Sequence, residues 1–324
     1  MANPKRQVPK RRPGANREPK TGYQKRMEKI GFIGLGIMGK PMALNLIKAG
    51  FPVSVLETSQ AAGELVAAGA SSFSDRKALA QTSDVVITML PDSPEVEQVV
   101  LGPDGVLEGL QPGALFIDMS TISPATARTI YQQLQQKGVE ALDAPVSGGQ
   151  VGAVAASLSI MVGGSEAAFQ RALPVFQAMG KNIVLIGEPG AGQTTKACNQ
   201  LIVGITIQAV SEAFTLAKQA GVDLEKMREV LLGGFAQSRI LDLHGKRMIE
   251  RNFTPGFKIR LHHKDLGIAL QSGEAFSVPL KATALVAEQM RAAIEAGDGE
   301  LDHSAIIKQL ETARQDLNGP TIRS

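Results

Sequence analysis

Lys29-Ile-Gly-Phe-Ile-Gly-Leu-Gly-Ile-Met-Gly39 is the stretch that decides the fold. A short apolar run leads into three glycines spaced G-x-G-x-x-G, and a helical period follows over residues 37–49, closed by Gly50. Residues 29–34 read as a buried strand, and Gly50 stands where a helix end takes a left-handed residue. In that context each glycine has a task. Gly34 permits the tight turn, Gly36 lets the backbone approach a pyrophosphate, and Gly39 lets helix and strand pack closely. The helix N-terminus offers free N–H groups and the positive end of its dipole to an anion. Gly34, Leu35, Gly36, Ile37, Met38 and Gly39 are therefore the expected cofactor loop. An acid should end the second strand about twenty residues on. Glu57 does so, 18 residues after Gly39, where it can accept from a ribose 2′-hydroxyl.

On either side of this loop the pattern is regular. Strand-like runs at residues 51–56, 84–89 and 114–118 alternate with helix-like stretches at 60–68, from Asp75, at 94–100 and at 123–138. Residues 158–162 and 183–186 read as the last strands. The alternation predicts an α/β fold with a Rossmann, doubly wound parallel sheet. After Gly192 the strands stop. Residues 193–220 read as one long apolar helix, with further helices at 223–232, 238–251, 262–276, 280–296 and 303–317. The punctuation Glu188-Pro-Gly-Ala-Gly192 separates the halves. The expected organisation is a basic tail over residues 1–26, a dinucleotide-binding domain over 27–189, and an all-helical substrate and oligomerisation domain over 190–324. The long helix is apolar on more than one face, which predicts burial against a second subunit in a homodimer or homotetramer.

Composition narrows the class. The 324 residues are 44% hydrophobic and 20% charged, a globular balance. One cysteine, Cys198, cannot form an internal disulfide or a Cys-rich zinc site, which favours a reducing cytoplasmic setting. The net charge of +3 comes from one end. Residues 1–26 hold nine Lys/Arg against one Glu, so they carry +8 and leave −5 for residues 27–324. With four prolines and little apolar content, that tail is expected to stay disordered. A nucleic-acid-binding protein using the tail is the non-enzyme alternative, but the acidic body offers no basic patch beside it. Translation from Met27, two residues before the first strand, would also explain the tail. No uncharged run reads as a membrane span, and no apolar secretory leader precedes the fold.

Three further clusters carry chemistry. Asp143-Ala-Pro-Val-Ser-Gly-Gly149 follows a strand-like segment, and Ser147, Gly148 and Gly149 could present a hydroxyl and exposed amides to a carboxylate. An ordinary Gly-rich loop is the alternative. In Gly192-Gln-Thr-Thr-Lys196-Ala-Cys-Asn199-Gln200, Lys196, Asn199 and Gln200 share one helix face. The helix is otherwise apolar, so Lys196 is costly there unless it faces a cavity. Partial burial would suit it to proton transfer near neutral pH. Phe257-Lys-Ile-Arg-Leu-His-His-Lys264-Asp265-Leu266 brings a cation that could reach back to cofactor or substrate, or merely open a charged helix. His262 and His263 are adjacent and point apart, and His244 and His303 show no ligand or triad spacing, so no metal site is expected.

These blocks in this order resemble the 3-hydroxyisobutyrate dehydrogenase, or β-hydroxyacid dehydrogenase, family. The likeness spans residues 29–310 and rests on Gly31 to Gly39, Asp118-Met-Ser-Thr-Ile-Ser-Pro124, Asp143 to Gly149, Gly192 to Asn199 and Lys264-Asp265-Leu266. Ile87-Thr-Met-Leu-Pro-Asp-Ser-Pro94, Arg251-Asn-Phe-Thr-Pro-Gly-Phe257 and Asp302-His-Ser-Ala305 are most similar to its tartronate semialdehyde reductase branch. The resemblance implies that Lys196 is catalytic, and that Asn199, Ser147, Gly148 and Gly149 bind a small hydroxy acid or semialdehyde. It also implies that Leu90, Pro91, Thr121 and Lys264 join the loop around the cofactor, Thr121 and Lys264 reaching the substrate as well. The implied reaction is NADH-dependent reduction of tartronate semialdehyde to glycerate, with NADP as the other cofactor. Sibling activities are glyoxylate or succinic semialdehyde reduction and 3-hydroxyisobutyrate oxidation. Two positions depart from the family pattern: Ala156-Ser157 replaces a Gly-Thr pair, and Thr58 replaces an Arg after the second-strand acid.

Overall fold

The computed structural model describes residues 27–317, so the expectation for residues 1–26 lies outside the described residues. Strand β1 (Ile30–Ile33) is buried along its whole length and is an interior strand of the sheet. It pairs in parallel with β2 (Val53–Leu56) on one side and β4 (Val85–Thr88) on the other. Between them run α1 (Gly39–Lys48), α2 (Ala62–Ala67), the edge strand β3 (Ser71–Phe73) and α3 (Arg76–Gln81). The parallel set continues through α4 (Ser93–Leu101), α5 (Val106–Gly109), β5 (Leu115–Asp118), α6 (Pro124–Gln136) and β6 (Glu140–Asp143). Both faces of a parallel sheet must be covered, and side chains of β1 serve both. Ile30 and Phe32 pack with Met42, Leu46 and Phe176 on one face. Ile33 packs with Leu79, Val86 and Phe116 on the other. Each fully buried side chain of this size contributes about 1.5–3 kcal/mol.

The end of the sheet differs from the expectation. After β7 (Val146–Ser147) and α7 (Gly149–Val154), β8 (Leu158–Gly163) runs antiparallel to β6 and β7, and only β9 (Gly180–Gly187) returns parallel to it. The strand order is β3-β2-β1-β4-β5-β6-β8-β7, with β9 on β8. The short helix α7 gives no full crossover, so the chain folds back on itself. Helix α8 (Glu166–Gln177) was not apparent from the sequence, because Pro174 interrupts its period.

The helical half is built on α9 (Ala191–Gln219). Around it stand α10 (Leu224–Leu232), α11 (Arg239–Glu250), α12 (Ile259–Ala275), α13 (Lys281–Glu295), a 3-10 turn (His303–Ile306) and α14 (Ile307–Leu317). At 29 residues α9 is long and apolar enough to span a membrane by those two measures alone, which no uncharged run had suggested. Its apolar faces are largely used inside the chain. Ile207, Val210 and Phe214 form the core of this half with Leu266, Met290 and Ile306. Much of the apolarity that had suggested a second subunit is therefore accounted for, although Ile202 and Leu216 stay exposed. Helix α12 starts at Ile259, earlier than residue 262, so Lys264 and Asp265 lie inside it.

Candidate active site

The glycine loop has the geometry its spacing requires. Gly34 takes φ +99°, and a Cβ there would lie 2.2 Å from the Met89 carbonyl oxygen. A Cβ on Gly39 would lie 1.8 Å from the Gly34 carbonyl oxygen, whereas one on Gly36 would meet nothing within 4 Å. Gly34 and Gly39 are thus demanded by packing, and Gly36 by space left open beside the loop. Helix α1 begins without a side-chain cap or an acid in its first turn, so its leading N–H groups suit a diphosphate. Glu57 follows β2 and is exposed. These residues fit a dinucleotide.

The loops beyond β4 and β5 are tied together. Asp118 accepts from Thr88 Oγ1 at 2.8 Å and from Ser120 N, and Ser120 Oγ accepts from Leu90 N at 2.8 Å. Lys264 reaches across from α12. Its Nζ donates to the carbonyl oxygens of Pro91 (2.9 Å) and Thr121 (2.7 Å) and lies 2.9 Å from Asp265 Oδ1. Leu90, Pro91, Thr121 and Lys264, expected together, are together. Gln193 fastens the start of α9 to the same loop. It accepts from Ile122 N at 3.1 Å and donates to the Ser120 carbonyl at 2.8 Å. Asp143 at the end of β6 caps α9, accepting from Gly190 N at 2.7 Å and Gln193 N at 2.8 Å. Burial pushes the Asp143 carboxyl up to about 6, against those two hydrogen bonds.

Lys196 lies one turn into α9 and is buried at 6% exposure. Burial draws its ammonium down to about 8; the charge of Asp265 opposes this and that of Lys264 adds to it. Its Nζ donates to Gln200 Oε1 at 2.9 Å, and Asn199 Nδ2 donates to the same oxygen at 2.7 Å. The face Lys196–Asn199–Gln200 is thus a bonded unit. Gln200 Nε2 in turn donates to Asp265 Oδ2 at 2.6 Å. A half-neutral lysine at about pH 8 can give or take a proton. Ser147 ends β7, and Gly148 (φ +134°) and Gly149 (φ +61°) turn into α7, four to six residues past Asp143. Their amides begin a helix with no side-chain cap, more ordered than a plain loop. Among the described residues no hydrogen bond joins them to the Lys196 group.

Comparison with known proteins accords with this geometry. Residues 29–187 match the NAD binding domain of 6-phosphogluconate dehydrogenase, and residues 190–310 match the NAD-binding domain of NADP-dependent 3-hydroxyisobutyrate dehydrogenase. The chain is 48% identical over 283 residues to 2-hydroxy-3-oxopropionate reductase of Escherichia coli (strain K12), covering 87% of this chain and 97% of that one. The chain belongs to the 3-hydroxyisobutyrate dehydrogenase family. It is 39% identical to 2-(hydroxymethyl)glutarate dehydrogenase of Eubacterium barkeri, over 87% of this chain and 95% of the relative. The solved 3-hydroxyisobutyrate dehydrogenase of Mycobacterium tuberculosis with L-serine superposes with a TM-score of 0.80 at 36% identity. That match covers 88% of this chain and 99% of the other. As a member of this family the chain is an NAD(P)-dependent β-hydroxyacid dehydrogenase with a Rossmann domain and a helical second half.

Several residues of the site escaped the sequence reading. Asp143 and Gln193 position α9, yet the only local signal was a strand-end acid before a proline and a polar residue in a first turn. Asp265 appeared only as a neighbour of Lys264. The histidines without ligand spacing also come together: His244 Nε2 lies 3.3 Å from His303 Nε2, and His303 Nδ1 lies 2.9 Å from His262 Nδ1. Asp302 beside them accepts from Gly256 N, Phe257 N, Ser304 N and Ser304 Oγ and pairs with Arg247. His244 Nδ1 also lies 3.5 Å from Asp302 Oδ1. Together these groups form a hydrogen-bonded hub.

Proposed function

We propose that the chain reduces tartronate semialdehyde (2-hydroxy-3-oxopropanoate) to glycerate, using NADH, with Lys196 as the general acid. The observation that carries the reaction class is the buried Lys196 ammonium, drawn down to about 8 and held by Gln200 against Asp265. The substrate choice is supported by 48% identity to the E. coli 2-hydroxy-3-oxopropionate reductase. NADH, when bound at the glycine loop, would supply the hydride for the aldehyde carbon. As negative charge grows on the carbonyl oxygen, Lys196 Nζ delivers its proton there, and in oxidation neutral Lys196 takes that proton back. Asn199 orients the substrate, and Ser147, Gly148 and Gly149 hold its carboxylate, which fixes the carbon that is reduced. Such positioning is a large part of the rate.

Leu90, Pro91, Thr121 and Lys264 enclose the nicotinamide side, and Glu57 binds the adenosine ribose. NADH is favoured over NADPH because Glu57 repels a 2′-phosphate and Thr58 brings no charge to hold one. Two cations of α3 are engaged elsewhere: Lys77 pairs with Glu108, and Arg76 donates to the Gln98 and Pro103 carbonyls. Residues 27–189 then serve the cofactor and 190–324 the substrate and assembly, with no metal. A cytoplasmic homodimer or homotetramer fits the exposed apolar side chains of the helical half, Val230, Phe235 and Leu243 among them.

Initial rates with tartronate semialdehyde, glyoxylate, succinic semialdehyde and methylmalonate semialdehyde, each with NADH and NADPH, test the reading. The expected result is the highest kcat/KM for tartronate semialdehyde with NADH. A higher value for any other aldehyde would replace the substrate assignment.

A further inference from the structure

Three buried or half-buried imidazoles, from three separate elements, form a line that ends on the backbone of α9. His262 Nε2 lies 3.0 Å from the Gln200 carbonyl oxygen. That oxygen can only accept, so His262 Nε2 carries a hydrogen and, in a neutral ring, His262 Nδ1 is bare. His303 Nδ1, 2.9 Å away, must then donate to it. That leaves His303 Nε2 bare, 3.3 Å from His244 Nε2, while the other nitrogen of that ring, His244 Nδ1, lies 3.5 Å from Asp302 Oδ1. The two links that the carbonyl directs point the same way, from His303 to His262 on α12 and so to α9.

We propose that His262 is a positioning residue for the Lys196 site, held in one tautomer between the Gln200 carbonyl and the hydrogen bond from His303. The residue whose carbonyl His262 grips is Gln200, whose side chain holds Lys196 Nζ and Asp265. The contact is close on both sides: a Cβ on Gly204, one turn along α9, would lie 3.4 Å from the His262 ring. Phe257 packs edge-on against both His262 and His303 and shields the chain. An added proton on His262 would set two N–H groups against each other at 2.9 Å. The surroundings oppose that. Burial disfavours charge on His262 more than the Gln200 carbonyl and Asp265 can restore, and Lys196 and His244 add to the burial. His303 is buried and faces His262, His244 and Arg247, with Asp302 alone favouring charge. Both rings are therefore kept neutral.

This inference rests on Lys196 being the proton donor. His262→Phe keeps a ring and removes the donor, while His262→Gln keeps a donor near the place of Nε2. The Phe variant should lose about tenfold in kcat for aldehyde reduction, because a small misplacement of a reacting group is costly. Its KM for NADH should hold, and the basic limb of its pH profile should move lower as Gln200 stops supporting the ammonium. The Gln variant should recover most of the lost kcat. A Phe variant with the parent's kcat and pH profile, or a Gln variant as impaired as the Phe variant, would overturn the proposal. Nitrogen-15 NMR of the parent protein tests it without a substitution. The expected spectrum at pH 7 has neutral His262 protonated on Nε2 and neutral His303 protonated on Nδ1; the opposite tautomer on either ring would overturn it. Lys196→Ala, assayed alongside, separates the two claims: an active Lys196→Ala enzyme sinks the proton-donor role and leaves the tautomers standing.

Discussion

Gln200 on α9 donates from Nε2 to Oδ2 of Asp265 on α12 at 2.6 Å, joining side chains 65 residues apart. Because Gln200 Oε1 accepts from Lys196 and Asn199, the amide has one orientation that satisfies all three partners. Asp265 thus acts on Lys196 twice, through this amide and through its charge.

Asp265→Asn should therefore impair reduction in a pH-dependent way. The negative charge of Asp265 raises the Lys196 pKa, which burial has lowered to about 8. The ammonium is the form that donates, so reduction runs below that pKa and fails above it. Removing the charge lowers the pKa further, and the basic limb of the kcat profile moves to lower pH. The oxidation profile, which needs neutral lysine, should shift its rising limb the same way. A profile that keeps the parent's limbs would refute the electrostatic role.

Gly36 and Gly39 should separate binding from folding. Gly36→Val adds atoms where a Cβ meets nothing within 4 Å, so the melting temperature should hold while KM for NADH rises about tenfold or more. Gly39→Ala drives a Cβ into the Gly34 carbonyl at 1.8 Å and should cost roughly 1–3 kcal/mol of stability. Denaturant titration and cofactor titration together check both. Equal loss of stability in the two variants would contradict the assignment.

Much of this site was legible because its signals are local. A glycine's steric demand at Gly34 or Gly39 is met within a few residues, and so is the shared face of Lys196, Asn199 and Gln200. Lys264 was placed with Leu90, Pro91 and Thr121 through family likeness, since no period links residues on opposite halves. Asp265 with Gln200, and His303 with His262 and His244, are joined only by tertiary packing. Histidines 41 and 59 residues apart carry no spacing signal. The reversed direction of β8 was hidden for a related reason: an apolar strand reads the same either way along the sheet.

Ala156 occupies the left-handed region at φ +50°, the conformation for which a glycine is suited at a helix end. The backbone past α7 thus keeps a glycine-like shape with an alanine in it. Ala156→Gly should stabilise the protein by about 0.5–1 kcal/mol, the strain of a Cβ there less the extra freedom of an unfolded glycine. Urea midpoints at equal m-value measure it; an unchanged or lower midpoint would contradict the strain.

Cofactor preference should follow the end of β2. The parent should show higher kcat/KM with NADH than with NADPH, and Glu57→Ser combined with Thr58→Arg should narrow or reverse that ratio. Arginine can pair bidentately with a phosphate where a glutamate would repel it. Equal use of both cofactors by the parent would mean that a cation other than Arg76 or Lys77 reaches the 2′-phosphate.

The most direct test of the account is the single-site loss of the proton donor. With saturating NADH and tartronate semialdehyde, Lys196→Ala should bind NADH as the parent does and turn over about 10²–10⁴-fold more slowly, the span expected for losing a general acid. Turnover within threefold of the parent would contradict the central claim.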